Sequence, residues 1–201
     1  MTSAVGIAHK SLVFDRRVRV LASAIDPLLP RGATVLDVGC GDGTIDRLIQ
    51  TARPDINIRG VDVLKREAPA IPVIEFNGVN IPFEEKSVDT VTFVDVLHHT
   101  PDPLVLLREA VRVARKSIVI KDHTMDGPLA YSTLRFMDWV GNAHHGVALP
   151  YNYWPEARWR ASFAMLGLPV AAWHARLGLY PFPASLGFER NLHFIADLRV
   201  L

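Results

Sequence analysis

With 201 residues, 49% of them hydrophobic and 21% charged, the chain has the size and make-up of one globular domain with a sizeable core. A net charge of +1 and the lack of any Lys/Arg-rich block speak against nucleic acid as a partner. The single cysteine, Cys40, excludes an internal disulfide and a cysteine-based metal cluster. With no signal-peptide core and no apolar stretch of spanning length, it points to a cytoplasmic chain without stable membrane insertion.

Phe14, Val18, Leu21, Ile25 and Leu28 recur at helical spacing, which predicts an amphipathic lead-in helix within residues 1–30, packed at the sheet edge and stopped by Pro30-Arg31-Gly32. Its charged face, Arg16, Arg17 and Arg19, reads as solvated. Next comes Thr34 to Ile45, T-V-L-D-V-G-C-G-D-G-T-I. Val35, Leu36 and Val38 have the character of a strand covered on both faces, and Ile45, Leu48, Ile49 and Ala52 repeat as on a helix. Between them Gly39, Gly41 and Gly43 form a turn that can take positive φ and lie directly against a ligand.

The glycine spacing narrows the choice of ligand. A dinucleotide fingerprint G-x-G-x-x-G starting at Gly39 would need glycine where Thr44 stands. A phosphate loop would need Gly-Lys-Ser/Thr, and the turn instead carries Asp37 and Asp42, acids that suit a cation. Cys40 reads as a small buried filler rather than a reactive thiol.

Val35 to Gly43 resembles the first motif of class I S-adenosylmethionine (SAM)-dependent methyltransferases, of the small-molecule, type 11 kind. That resemblance implies an α/β fold, a Rossmann-like, doubly wound seven-stranded sheet that is mostly parallel with the last strand antiparallel. It implies SAM as cofactor and S-adenosylhomocysteine as product. Asp37, Gly39, Cys40, Gly41 and Gly43 then hold the amino-acid and ribose end of the cofactor. A second strand, Ile56 to Val61, ends in Asp62, whose carboxylate can accept the ribose hydroxyls, with Val63 beside it. The link to a third strand, Val73 to Phe76, contains Pro69 and Pro72 and is too short for a regular crossover helix, which departs from the family. Phe76 to Phe93 is similar to the second motif, with Asn77 in the place of its acid, next to Gly78. The amide oxygen can still accept from the adenine amino group.

The fourth strand, Asp89 to Val94, leads into Asp95-Val96-Leu97-His98-His99, where the resemblance puts Asp95 against the cofactor and His99 toward the acceptor. Asp102 caps a helix opened by Pro103, with Leu104, Leu107, Val111 and Ala114 facing inward and Arg115-Lys116-Ser117 at its end. A fifth strand, Ser117 to Ile120, delivers Lys121-Asp122-His123 to the same rim. His123 is the expected general base, with Asp122 as its neighbour, and His98 stands next in line. Pro155 to Leu166 reads as a helix, and Val170 to Leu177 and Leu192 to Arg199 as the last two strands. Residues 124–154 are left over as an insertion with a helix around Leu129 to Val140. Its uncharged remainder has the composition of a substrate lid, with Asn142, His144, His145, Tyr151 and Tyr153 facing a small-molecule acceptor.

No metal is expected, since there is no His-x-x-x-His on a helix, no Glu-x-x-His pair and no spare cysteine, and adjacent histidines cannot easily point at one ion. The reading is a single-domain methyltransferase of residues 1–201 acting on an unidentified small molecule; the alternative is a SAM-binding domain of the same fold without turnover. Acceptor atom and oligomeric state leave no mark in the sequence.

Overall fold

The computed structural model describes residues 4–64, 66–142 and 150–201. Seven strands make one sheet: β1 Thr34–Val38, β2 Asn57–Asp62, β3 Val73–Glu75, β4 Val88–Val94, β5 Ala114–His123, β6 Val170–His174 and β7 His193–Arg199. Their order is β3-β2-β1-β4-β5-β7-β6. The first five pair in parallel, and β7 runs antiparallel between β5 and β6. The strand order reverses between β1 and β4, so the carboxyl ends of these two strands open the crevice in which such sheets bind ligands.

Helices cover both faces, which is why the central strands are almost continuously apolar. On one face α3 Pro103–Val113 and α5 Glu156–Met165 press Leu106, Leu107, Ala110, Val113, Trp159 and Phe163 onto the sheet. On the other, α1 Ala4–Ile25 and α2 Thr44–Ala52 bring Ala22, Ile25 and Ile49 against Val35, Ile58, Val119 and Ile195. The lead-in helix thus packs on a face beside α2, not at the sheet edge. A smaller cluster of Ala130, Leu134, Tyr153 and Leu192 sits under α4 Ala130–Asn142, close to α6 Ser185–Phe188.

Several boundaries differ from expectation for physical reasons. Asp102 does cap α3, accepting from the Leu104 amide at 3.0 Å, but the inward face is Leu106, Leu107, Ala110 and Val113, while Leu104 and Val111 stay half-buried. The helix stops at Val113 and strand β5 takes over at Ala114. β5 extends to His123 because β7 pairs along it from Ser117–Arg199 to His123–His193. Lys121, Asp122 and His123 therefore belong to the sheet and are buried instead of standing on a rim loop. Between β2 and β3 no helix forms among the described residues, in line with Pro69 and Pro72.

Candidate active site

The turn after β1 is held from below. Gly39, Gly41 and Gly43 have φ of 77°, 58° and 71°, the left-handed region that favours glycine. A Cβ on Gly39 would meet Val96 at 2.5 Å and one on Gly43 would meet Ile71 at 2.5 Å, whereas nothing lies within 4 Å of the Gly41 position. Packing thus demands two of the glycines and leaves free space over the third. Gly39 N–H donates to Val61 O at 2.7 Å, Gly41 N–H to Asp62 Oδ2 at 2.8 Å and Gly43 N–H to Cys40 O at 2.9 Å. With these amides satisfied inside the protein, the turn is no phosphate cradle.

Under the turn two acids share a buried site. Asp37 accepts from Thr92 Oγ1 at 2.7 Å, and burial pushes its carboxyl up to about 6. Burial and then Asp37 push Asp46, in the first turn of α2, well above the usual carboxylate range, and its Oδ2 has no protein partner. Burial is the largest cause of both shifts, and the Asp37 charge adds to that of Asp46. Cys40 is half-buried, and burial raises its thiol; Gly60 is glycine because a Cβ there would lie 2.3 Å from the Cys40 sulfur.

Beyond β4 and β5 lies a second polar cluster. Asp95, at φ 59°, receives ion pairs from Lys121 and from Arg17 of α1. Burial opposes its charge, but Lys121 and Arg17 hold the carboxyl well below its ordinary value. Lys121 also lies 3.4 Å from His193 Nδ1, and His193 donates through Nε2 to Phe188 O at 2.9 Å. Leu97–His99 forms a 3-10 turn. Asp122 Oδ1 is 2.6 Å from His98 Nδ1, and Asp122 Oδ2 accepts from the Leu97 amide at 3.0 Å. Burial works against a charge on His98, but Asp122 and Asp138 lift it to about 10, so the ring is cationic at neutral pH. His123 lies 4.6 Å from His98 between ring centres; burial, then the Lys121 charge, depress it well below its usual value and keep it neutral. Its Nδ1 is 3.3 Å from Leu192 O, which turns Nε2 toward Asp95 Oδ1 at 3.4 Å. Tyr153 donates its hydroxyl to Asp138 of α4.

Residues 36–120 match the family model described as methyltransferase domain. An uncharacterized methyltransferase of Mycobacterium sp. (strain JLS) is 32% identical over 123 residues, 57% of this chain and 48% of the relative. A demethylmenaquinone methyltransferase of Bacillus licheniformis is 34% identical over 99 residues, 43% of this chain and 42% of the relative. In fold, a SAM-dependent methyltransferase from Thermotoga maritima superposes with a TM-score of 0.69 at 16% identity, over 97% of this chain and 96% of that one. Residues 36–120 thus carry a match to a methyltransferase domain, and the whole chain has the fold of the SAM-dependent methyltransferase structure it superposes on. Its matches span about half or less of the length of these curated relatives.

The residues present fit the cofactor of that family. The turn is open at Gly41, where a ligand can lie against the backbone. Asp62, 8% exposed, spends one oxygen on Gly41 N–H and the other on Leu64 N–H at 2.8 Å, which leaves further acceptor capacity on its carboxylate for hydroxyls. Val63, Leu64 and Val79 are exposed apolar residues past β2 and β3, with Gly78 against Val63, a surface suited to a flat base.

Other expectations need correction. Asn77 is exposed and its Oδ1 is engaged by the Val79 and Asn80 amides at 2.9 and 2.8 Å, an Asx turn that competes with an adenine contact. Asp122 pairs with the His98 ring and not with that of His123, since alternate strand residues point to opposite sides. His98, already protonated, is no base. Arg17 is no solvated residue but an Asp95 partner, also 3.3 Å from the Tyr180 hydroxyl. Adjacent His98 and His99 can approach one position: the 3-10 turn brings their ring centres to 4.0 Å, and one nitrogen of each lies with an Asp138 oxygen within 4.8 Å. Tyr153 is buried with its hydroxyl committed to Asp138, while Tyr151 is half-buried under the Arg135 guanidinium, 5.0 Å from its ring centre. Asn142 ends α4. His144 and His145 lie outside the described residues. Sequence reasoning missed Arg17, Lys121, Asp138 and His193 as parts of the cluster. The one signal for Lys121 and His193 is that each borders an apolar run, Ile118–Ile120 in β5 and Phe194–Ala196 in β7. Among the described residues no helix is long and apolar enough to cross a membrane.

Proposed function

We propose that this chain transfers a methyl group from SAM to a small-molecule acceptor held at the carboxyl ends of β4 and β5. The observation that carries the reading is the open, left-handed Gly41 position, with Asp62 tied to it on one side and the His-rich cluster past β4 on the other. When bound, the cofactor would supply an electrophilic methyl on sulfur, with sulfur keeping the electron pair of the S–C bond as the acceptor atom bonds to carbon. The chain's own residues then have two tasks, positioning and removal of the acceptor's proton. Asp62 and the turn fix the ribose and amino-acid end, and Val63 and Gly78 bear on the base. The described parts of the insertion, residues 124–142 and 150–154, serve as the acceptor's cover, with His99 and Tyr151 toward the acceptor.

His123 takes the acceptor proton on Nε2. It is the ring beside Asp95 that is neutral, and its Nδ1–H is committed to Leu192 O, which leaves the Nε2 lone pair available. The likeness to a demethylmenaquinone methyltransferase is a reason to include quinols among the acceptors tried. The purified chain is to be incubated with methyl-labelled SAM and a panel of phenols, quinols and amines, with labelled product and S-adenosylhomocysteine read by mass spectrometry. The expected result is product from at least one acceptor, with His123→Asn lowering kcat by a factor of about 100 or more while SAM affinity stays near wild type. Full turnover in His123→Asn would remove it from the reaction, and SAM binding with no product from any acceptor class would favour a binding domain without turnover.

A further inference from the structure

Two buried ring nitrogens at the rim make no hydrogen bond among the described residues: Nε2 of His98 and Nδ1 of His99. His98 is 1% exposed, and its Nε2 lies 3.4 Å from Asp138 Oδ2 without the alignment of a hydrogen bond. His98, His99 and Asp138 each offer one donor atom, and the three atoms lie within 4.8 Å of one another. Asp95, His98 and His123 form a second such group, but Asp95 is already neutralised by Lys121 and Arg17 and has little need of another cation.

We propose that His98, His99 and Asp138 form a binding site for a first-row divalent cation of the Zn2+ type, with coordination positions left open toward the acceptor side of the cleft. Imidazole nitrogens with one carboxylate suit such ions better than Mg2+ or Ca2+, which take oxygen ligands. Tetrahedral bonds of about 2.0–2.1 Å place ligand atoms roughly 3.3 Å apart, close to the His98–Asp138 separation, so closing the site on an ion asks for small side-chain movements. The supports behind the ligands are in place. His98 gives its Nδ1–H to Asp122 at 2.6 Å, the carboxylate–histidine arrangement that fixes the tautomer with the Nε2 lone pair directed at the metal position. Asp138 is oriented in the same way by the Tyr153 hydroxyl.

Charge points the same way. Asp122 and Asp138 are 0% and 6% exposed and both face the His98 ring, so a cation bound there would take over the charge-balancing place that the His98 proton holds. A proton on His98 is the competing occupant, and metal binding displaces it. Three protein ligands with an open position is the pattern of sites that bind and polarise an oxygen ligand, rather than of closed structural sites. Joined to the proposed transferase activity, on which this last step alone rests, the site selects an acceptor that presents a hydroxyl or carbonyl oxygen.

The test is a Co2+ titration of chelator-treated full chain, followed by the visible absorption of low-coordinate Co2+, with metal content of the untreated protein by mass spectrometry. One Co2+ per chain is expected, displaced by Zn2+. His99→Asn and Asp138→Asn should each weaken binding at least tenfold, with His174→Asn, an exposed histidine elsewhere, as the unaffected control. No Co2+ signal, or binding that survives both ligand substitutions, overturns the site. If Asp138→Asn fails to fold, His99→Asn decides alone, since His99 is only half-buried. SAM affinity measured on the same samples keeps the two readings apart: metal bound without SAM refutes the transferase reading and leaves the metal site, and SAM bound without metal does the reverse.

Discussion

Gly39 and Gly41 have similar backbone conformations and opposite surroundings, so alanine at each separates folding from ligand binding. Either substitution bears roughly 1–2 kcal/mol for an L-residue in the left-handed region. Gly39→Ala must in addition drive a methyl into Val96 at 2.5 Å, an overpacking worth about 1–3 kcal/mol more. Gly41→Ala meets no protein atom and instead fills the space over the turn. Thermal melts should show Gly39→Ala as the more destabilised variant. SAM titration of the folded proteins should show Gly41→Ala with affinity lowered about tenfold or more. Equal melting temperatures, or Gly41→Ala with wild-type affinity, would contradict this division of roles. The requirement for glycine was legible in the alternating pattern, but which glycine answers to packing and which to ligand was not, because Val96 and Ile71 reach the turn from other segments.

At the scale of elements, β1 and α2 meet through Asp37 and Asp46, and their pairing gives the fold a pH dependence. Asp37 rises to about 6 in the native state from an ordinary carboxylate value, and Asp46 rises well above its own. Between about pH 4 and 6 the native state therefore holds more protons than the unfolded chain. The stabilisation is full below about pH 4 and is lost as pH rises through the native value. Asp46→Asn keeps a donor toward Asp37 and removes one acid, so it should raise the melting temperature at pH 7.5, by ~2–4 °C per kcal/mol gained. The gain should shrink on going to pH 4, and a constant offset at both pH values would contradict the raised carboxyls. The elements themselves were mostly legible, since helices and strands write their periods locally. The errors fell where a partner decides: β5 runs three residues past its apolar core because β7 pairs with it, and α3 turned its buried face away from Leu104 and Val111.

For the whole molecule, the doubly wound, mostly parallel sheet was legible through the resemblance that one glycine turn and an acid after β2 carry, while the order of its strands was not read from the sequence. The polar cluster did not follow. Arg17 and Asp95 are 78 residues apart and Lys121 and His193 72, and pairings of that range depend on a topology that a local pattern does not encode. The same holds for Asp138, an acid on a helix whose role comes from Tyr153 and His98 on other segments. The site is thus a locally written half, around Gly41 and Asp62, joined to a half assembled by the fold. The locally written half is the basis of the functional reading, and its ligand can be tested directly. Isothermal titration of the purified chain with SAM, S-adenosylhomocysteine and NAD is that measurement: binding of the first two at one site per chain, unaffected by NAD, is expected, and tight NAD binding with no SAM signal would contradict the account.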